Sequence, residues 1–204
     1  MEANDIIMLN DRKQFCVRQK RIGFKLYKVF DIYDFITTKE IGLAVEENSL
    51  WINIMRFFLF KMILPNRICI YESESDKLFL TMTKPFKFNI LNRVVFVRDA
   101  EGDRIGELRH SMIGLKRQFS VYNHDKKKIG FVKGDLKGWN FKFEDNSSME
   151  IVSIKKKWTE IGNENYSSNF NYSVSIEGEN KEIGDVSRLV LASTLAIEMM
   201  FKEN

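Results

Sequence analysis

Short stretches in which apolar and polar residues alternate, such as Phe119-Ser120-Val121-Tyr122 and Phe141-Lys142-Phe143, predict strands with one face inward and the other in water. A weak repeat organises them: an aromatic or branched residue, a polar turn, then an apolar residue eight positions on, commonly Ile followed by Gly. Its five copies begin at Tyr33 (to Ile41-Gly42), Ile70 (to Leu78), Val97 (to Ile105-Gly106), Val121 (to Ile129-Gly130) and Phe143 (to Ile151). The residues between, as in Asp99-Ala100-Glu101-Gly102-Asp103, Asn123-His124-Asp125-Lys126 and Glu144-Asp145-Asn146-Ser147-Ser148, bend the backbone or bond it with short side chains. Each copy is one hairpin's length. About ten strands follow, and their even spacing predicts a mainly β architecture, a sandwich or a closed barrel without exposed edges.

The pattern changes near the end. From Asp185, read as an N-cap, the run Val186 to Phe201 has no turn signal and many helix formers, so a helix is expected over about residues 186–202. Between Leu189 and Ile197 it is apolar on nearly every side, and its surroundings must be apolar on nearly every side too. Sixteen residues reach roughly 24 Å, short of the ~30 Å of a bilayer core. Arg188 and Glu198 leave only nine residues between charges. A buried core helix is therefore expected rather than a membrane span, with Ala192, Ser193 and Ala196 letting strands approach closely. The apolar segment Leu50 to Leu64 is interrupted by Asn53, Arg56 and Lys61 and also falls short of a span.

Length and composition fit this reading. The 204 residues suit one domain, 1–204, and 17 Phe, 6 Tyr and 3 Trp suit a pleated, half-buried surface. Met1 to Asn10 contains Glu2 and Asp5 and lacks the basic-then-apolar order of a secretory signal. Cys16 and Cys69 fall outside any CxxC or Cys/His spacing and are expected as buried free thiols in a reducing compartment, the cytoplasm. The net charge of +4 is mild but uneven. Arg109 to Lys137 is basic, with Lys126, Lys127, Lys128 and Lys133 in it, whereas Glu160 to Glu182 leans acidic. Such a band is either a solvated set of hairpin edges guarded by lysine or a surface for phosphates of lipid or nucleic acid.

Catalytic chemistry finds little footing. The two histidines, His110 and His124, sit in no HExxH or Cys/His cluster, so no zinc and no other metal site is expected. His110 and Ser111 are adjacent and point to opposite faces of a strand, and His124 is expected in a turn. Gly134-Asp135-Leu136-Lys137-Gly138 lacks phosphate-loop spacing and reads as a hairpin turn. Glu46, Glu47, Glu72 and Glu74 are expected at the surface. Phe119, Tyr122, Phe131 and Trp139 accompany the basic band as stacking platforms do, but aromatics of a barrel alternate inward, and no nucleic-acid motif occurs. The expectation is a monomeric protein that is no enzyme, uses no cofactor and does not take nucleic acid as its partner.

Four stretches then carry a family resemblance: Lys84-Pro85-Phe86; Val97-Arg98-Asp99 through Ile105-Gly106; Ile154-Lys155-Lys156-Lys157-Trp158-Thr159; and Leu189 through Phe201. In them the chain resembles the phospholipid scramblase-related family and its relatives of tubby-like (LURP-one-like) fold, a closed antiparallel β-barrel surrounding a hydrophobic C-terminal helix. The resemblance implies lipid scrambling or binding at membrane surfaces. Calcium-dependent members carry acidic residues before the final strand, where this chain has Asn165-Tyr166-Ser167-Ser168-Asn169-Phe170-Asn171 with no carboxylate, so a tight Ca²⁺ site is not expected. The cysteine cluster that can be acylated is replaced by Phe86-Lys87-Phe88-Asn89-Ile90-Leu91-Asn92, without a cysteine. The lysine run beside Trp158 resembles a nuclear-import segment of some relatives. On the family scaffold, the residues expected to touch anionic membrane or phospholipid are Lys126, Lys127, Lys128, Lys133, Lys155, Lys156 and Lys157, with peripheral attachment. The alternative is a protein-interaction or structural module that meets no lipid, its partner unnamed.

Overall fold

The computed structural model describes residues 13–20, 27–55, 63–86, 92–111, 118–135, 140–157, 171–176 and 183–201. Its strands are β1 (Gln14–Lys20), β2 (Val29–Asp34), β3 (Glu40–Glu46), β4 (Asn66–Glu72), β5 (Leu78–Lys84) and β6 (Asn92–Arg98). They continue as β7 (Arg104–Ser111), β8 (Gln118–Asn123), β9 (Lys128–Gly134), β10 (Asn140–Asp145), β11 (Glu150–Lys157) and β12 (Asn171–Ile176). Each pairs antiparallel with its chain neighbours, and β1 also pairs with β12, closing the barrel. Among the described residues two helices accompany it, α1 (Leu50–Met55) and α2 (Ile183–Phe201).

The five repeats are five hairpins: β2–β3, β4–β5, β6–β7, β8–β9 and β10–β11. In every one the register slips by one residue at the step into the turn. Val97 faces Gly106 while Arg98 faces Arg104, which leaves Ile105 as the extra residue of a β-bulge. Its equivalents are Ile41, Phe79, Ile129 and Ile151, all packed on the core. The recurring isoleucine is thus the bulge residue, and the Gly after it has its own reason. A Cβ on Gly106 would lie 2.5 Å from the carbonyl oxygen of Tyr122 and 2.7 Å from Cδ2 of Leu189 on α2. Each turn also holds one residue at positive φ, two positions before the next strand: Thr38, Asp76, Gly102, Lys126 and Ser148. Side chains at the turn entrance offset that strain, as where Asp145 Oδ1 accepts from the backbone of Ser147 and Met149, both at 2.8 Å.

Inward positions alternate along the strands, for example Phe30 and Ile32, Val95 and Val97, Phe141 and Phe143, all buried. They surround α2, in which every residue from Leu189 to Met200 is buried. A helix advances about 100° per residue, so such a run leaves no face to solvent. The helix fills the barrel, as expected. Two expectations shift. Among the described residues there are twelve strands rather than about ten, because β1 and β12 lie outside the repeats and close the ring. The helix covers 183–201 rather than 186–202, so Asp185 falls inside it.

Candidate functional site

The five hairpin turns share one rim of the barrel. The opposite, far rim holds α1 and the strand ends Lys20, Glu46, Lys84, Ser111, Gly134 and Lys157. Along the axis, α2 runs from the turn rim, where Leu189 lies against Gly106, to the far rim, where Phe201 meets His110. This polarity divides the seven lysines singled out in the sequence. Lys126 and Lys127 are exposed in a turn and Lys128 opens β9, so these three lie at the turn rim. Lys133 and Lys155 lie toward the far rim, where Lys156 and Lys157 complete β11. Five residues of strand, about 17 Å, separate Lys128 from Lys133. That is about twice the ~8 Å Debye length at physiological salt, so the two groups act as separate patches.

The side of the barrel between them carries its own counterions. Lys133 pairs with Glu144, and Lys142 lies 2.6 Å from Glu150. Outward aromatics lie under the cations: Lys128 Nζ is 3.7 Å from the centre of Phe131, Arg109 is 4.6 Å from Tyr122 and Arg104 is 4.5 Å from Phe96. Phe119 turns inward as expected, whereas Tyr122 and Phe131 are half-buried on this outer layer. Both arginines also pair with the buried carboxylate of Glu107.

Inside the far rim a polar set closes the helix end. The Arg93 guanidinium donates to the carbonyl of Met200, one of the acceptors that the last helical turn leaves open. The His110 ring meets Phe201 edge-on at 5.0 Å, and Phe201 stacks on Phe141 at 6.0 Å. Burial, assisted by the Arg93 charge, pushes the pKa of His110 down to about 4. The Tyr172 hydroxyl donates to Glu198 at 2.6 Å, and burial together with that carboxylate raises its pKa. His124 lies in its turn, 3.1 Å from Asp125. Among the described residues, neither histidine is hydrogen-bonded to a hydroxyl or thiol, and no three His, Cys, Asp or Glu side chains gather as metal ligands.

A closed barrel with a buried C-terminal helix is thus in place, and residues 22–204 match the scramblase family. The chain belongs to the scramblase family. Neither a curated protein nor a solved structure shows significant similarity to it.

In this scramblase-family barrel the stretches that carried the resemblance take distinct places. Lys84 is buried at the end of β5 while Phe86, just beyond, is 45% exposed. Val97 to Gly106 is the third hairpin, and Leu189 to Phe201 is the plug. The stretch before the final strand lies outside the described residues up to Phe170, with Asn171 opening β12. Gly138 and Trp139, between β9 and β10, and Trp158, after β11, also lie outside them. No helix among the described residues is long and apolar enough to cross a membrane. Cys69 is buried as expected, whereas Cys16 is half-buried.

The scramblase-family chain also holds features that the sequence did not announce. Glu46 is a correction: expected at the surface, it is buried, with Oε2 accepting from the backbone N–H of Lys28 at 2.9 Å. Asp31 is fully buried although it alternates outward between Phe30 and Ile32. It accepts from Lys20 at 3.0 Å, from the Tyr33 hydroxyl at 3.2 Å and from Arg18 at 3.4 Å. Burial and Asp31 push Tyr33 up to about 12. On the outer face of β3 and β4, a groove of about 320 Å³ has Leu43, Val45 and Tyr71 between the carboxylates of Glu40, Glu47, Glu72 and Asp76. Such contacts join residues distant in sequence, and nothing in the local pattern marks them.

Proposed function

We propose that this scramblase-family protein is a non-catalytic module of the cytoplasm that attaches peripherally to anionic phospholipid surfaces. The observation that carries the reading is the burial of α2 from Leu189 to Met200. A helix consumed as the barrel's core is not available to span, so any contact with lipid falls to the outside of the barrel. Lysine there attracts an anionic leaflet by up to ~1 kcal/mol each, and of the seven lysines expected to touch lipid the set toward the far rim, Lys133, Lys155, Lys156 and Lys157, is assigned to it. Co-sedimentation with phosphatidylserine-containing vesicles tests the reading: binding stronger than to pure phosphatidylcholine, and weakened by salt, is expected. Equal recovery with both vesicles refutes it.

The second reading is a protein-interaction module without lipid, and the groove on β3 and β4 favours it. An apolar floor rimmed by four carboxylates suits a basic peptide segment. Loss of such a partner on Glu47→Lys, with no vesicle binding by the unaltered protein, supports this alternative.

A further inference from the structure

At the far rim, the one helical turn outside the barrel among the described residues has its polarity reversed. α1 buries Asn53, while Leu50, Trp51, Ile54 and Met55 are 71%, 76%, 38% and 40% exposed. A surface helix serving only the barrel's stability turns its apolar stripe inward and leaves the amide to water. Here the Asn53 Oδ1 atom is buried without a hydrogen-bond partner among the described residues, so no polar contact at that oxygen rewards the orientation. The helix is also held in place rather than trailing. Just before it, the backbone N–H of Glu47 donates to the Arg67 carbonyl at 2.9 Å, and Asn48 bonds Asn66 at 3.2 Å and the Arg67 N–H at 3.1 Å.

Charge selects what can cover this face. Exposed Lys20, Arg67, Arg109 and Lys155 surround the far rim, Lys20 and Arg109 paired there with the buried Asp31 and Glu107, and among the described residues Glu47 is the exposed acid beside them, with Asp135 half-buried. The turn rim mixes its lysines with exposed Glu74, Asp76, Glu101, Asp103 and Asp125. Exposed apolar residues also occur there, but Phe35 with Ile36 and Met149 stand on different hairpins with β1 and β12 between them. An anionic sheet is therefore drawn to one end of the barrel, the end that presents leucine, isoleucine, methionine and an exposed tryptophan. Tryptophan has an apolar body and a polar N–H, and favours the boundary between headgroups and acyl chains.

We propose that α1 is the membrane-docking element: it presses Leu50, Trp51, Ile54 and Met55 into the interface of an anionic phospholipid bilayer, and the barrel stands end-on upon it. The assignment rests on the anionic-membrane reading above and adds the face, the depth and the orientation. Its test uses the full chain with Trp139→Phe and Trp158→Phe, which leaves Trp51 as the sole tryptophan, titrated with phosphatidylserine/phosphatidylcholine vesicles. A blue shift of Trp51 emission and quenching by brominated acyl chains are expected. In the otherwise unaltered chain, the pair Leu50→Ser and Ile54→Ser lowers partitioning about tenfold or more. Lys126→Glu with Lys127→Glu, at the other rim, changes it less than about twofold.

Vesicles that sediment the protein while Trp51 emission stays unchanged overturn the docking face and leave the membrane reading standing. So does undiminished sedimentation of the Leu50→Ser, Ile54→Ser chain. A blue-shifted, concentration-dependent emission without vesicles, together with a dimeric mass, overturns it in favour of a second copy as the occupant. Sedimentation with neither vesicle type removes the membrane reading and this assignment with it.

Discussion

Leu195→Ala removes an isobutyl group from the middle of α2, where the residue has no exposed surface and lies in a run buried on every side. The loss combines the transfer of the deleted carbons with the cavity they leave, about 3–5 kcal/mol for a site that cannot collapse. A helix inside a closed ring of hydrogen-bonded strands is such a site. Leu195→Asp is harsher. To stay buried and neutral at pH 7, its carboxyl must move from about 3.9 to above 7, which costs about 4 kcal/mol in addition to about 2 kcal/mol of forfeited leucine burial. That sum approaches the whole stability of a typical domain, about 5–15 kcal/mol. The assay is urea denaturation followed by near-ultraviolet circular dichroism. Leu195→Ala is expected to lower the midpoint by about 1–2 M and Leu195→Asp to leave no cooperative transition. Ile36→Asp is the control: at 78% exposure in a turn, it should cost less than about 0.5 kcal/mol. A cooperative Leu195→Asp transition close to that of the parent would show that the strands stand without the helix, and the plug would be an appendage.

Gly102→Ala and Gly106→Ala should separate two roles of glycine: the first meets no atom within 4 Å and suffers only its positive φ, about 1 kcal/mol, while the second drives a Cβ against Leu189 and should cost more, both read from urea midpoints. His110 makes stability depend on pH. Its folded pKa of about 4 lies below the unfolded ~6.5, so the unfolded chain binds the proton first as pH falls, and about 2 kcal/mol is lost between pH 7 and pH 5, a loss that His110→Phe should abolish. Tyr172→Phe removes a donor to the buried Glu198 and should cost about 1–3 kcal/mol at pH 7 by the same measurement.

The hairpins were legible because their determinants are local. Turn residues such as Asp145 and the bulge residues Ile105, Ile129 and Ile151 recur at fixed spacing. In the first two copies the eight-residue spacing misses the true equivalents by one, because their turns are one residue longer: the bulge residues there are Ile41 and Phe79, nine positions after Ile32 and Ile70. The plug was legible from an apolar helix with no polar face. By contrast, α1 was hidden by its reversed polarity, since a stripe that faces outward gives no cue of packing. The burial of Asp31 and Glu46 depends on Arg18, Lys20 and the Lys28 N–H, partners that only the closed sheet brings near. The lysines were found by composition, but their division between two rims follows from strand direction alone.

Eleven of the twelve pairings join consecutive strands, and one joins the first to the last: Gln14 faces Ser175 across β1 and β12. This seam gives the barrel an order of assembly. Hairpins close loops of a few residues within about microseconds, whereas a contact spanning most of the chain waits on a long search. Until it forms, the ring is an open sheet with β1 and β12 as bare edges, each able to pair with the complementary edge of another molecule. Its self-complementary ends make the same contact close a monomer or begin a chain of exchanged copies, with concentration deciding between them. The residues that most need protection during folding are therefore Phe15 and Val174, opposite each other at the seam and buried only when the ring is complete.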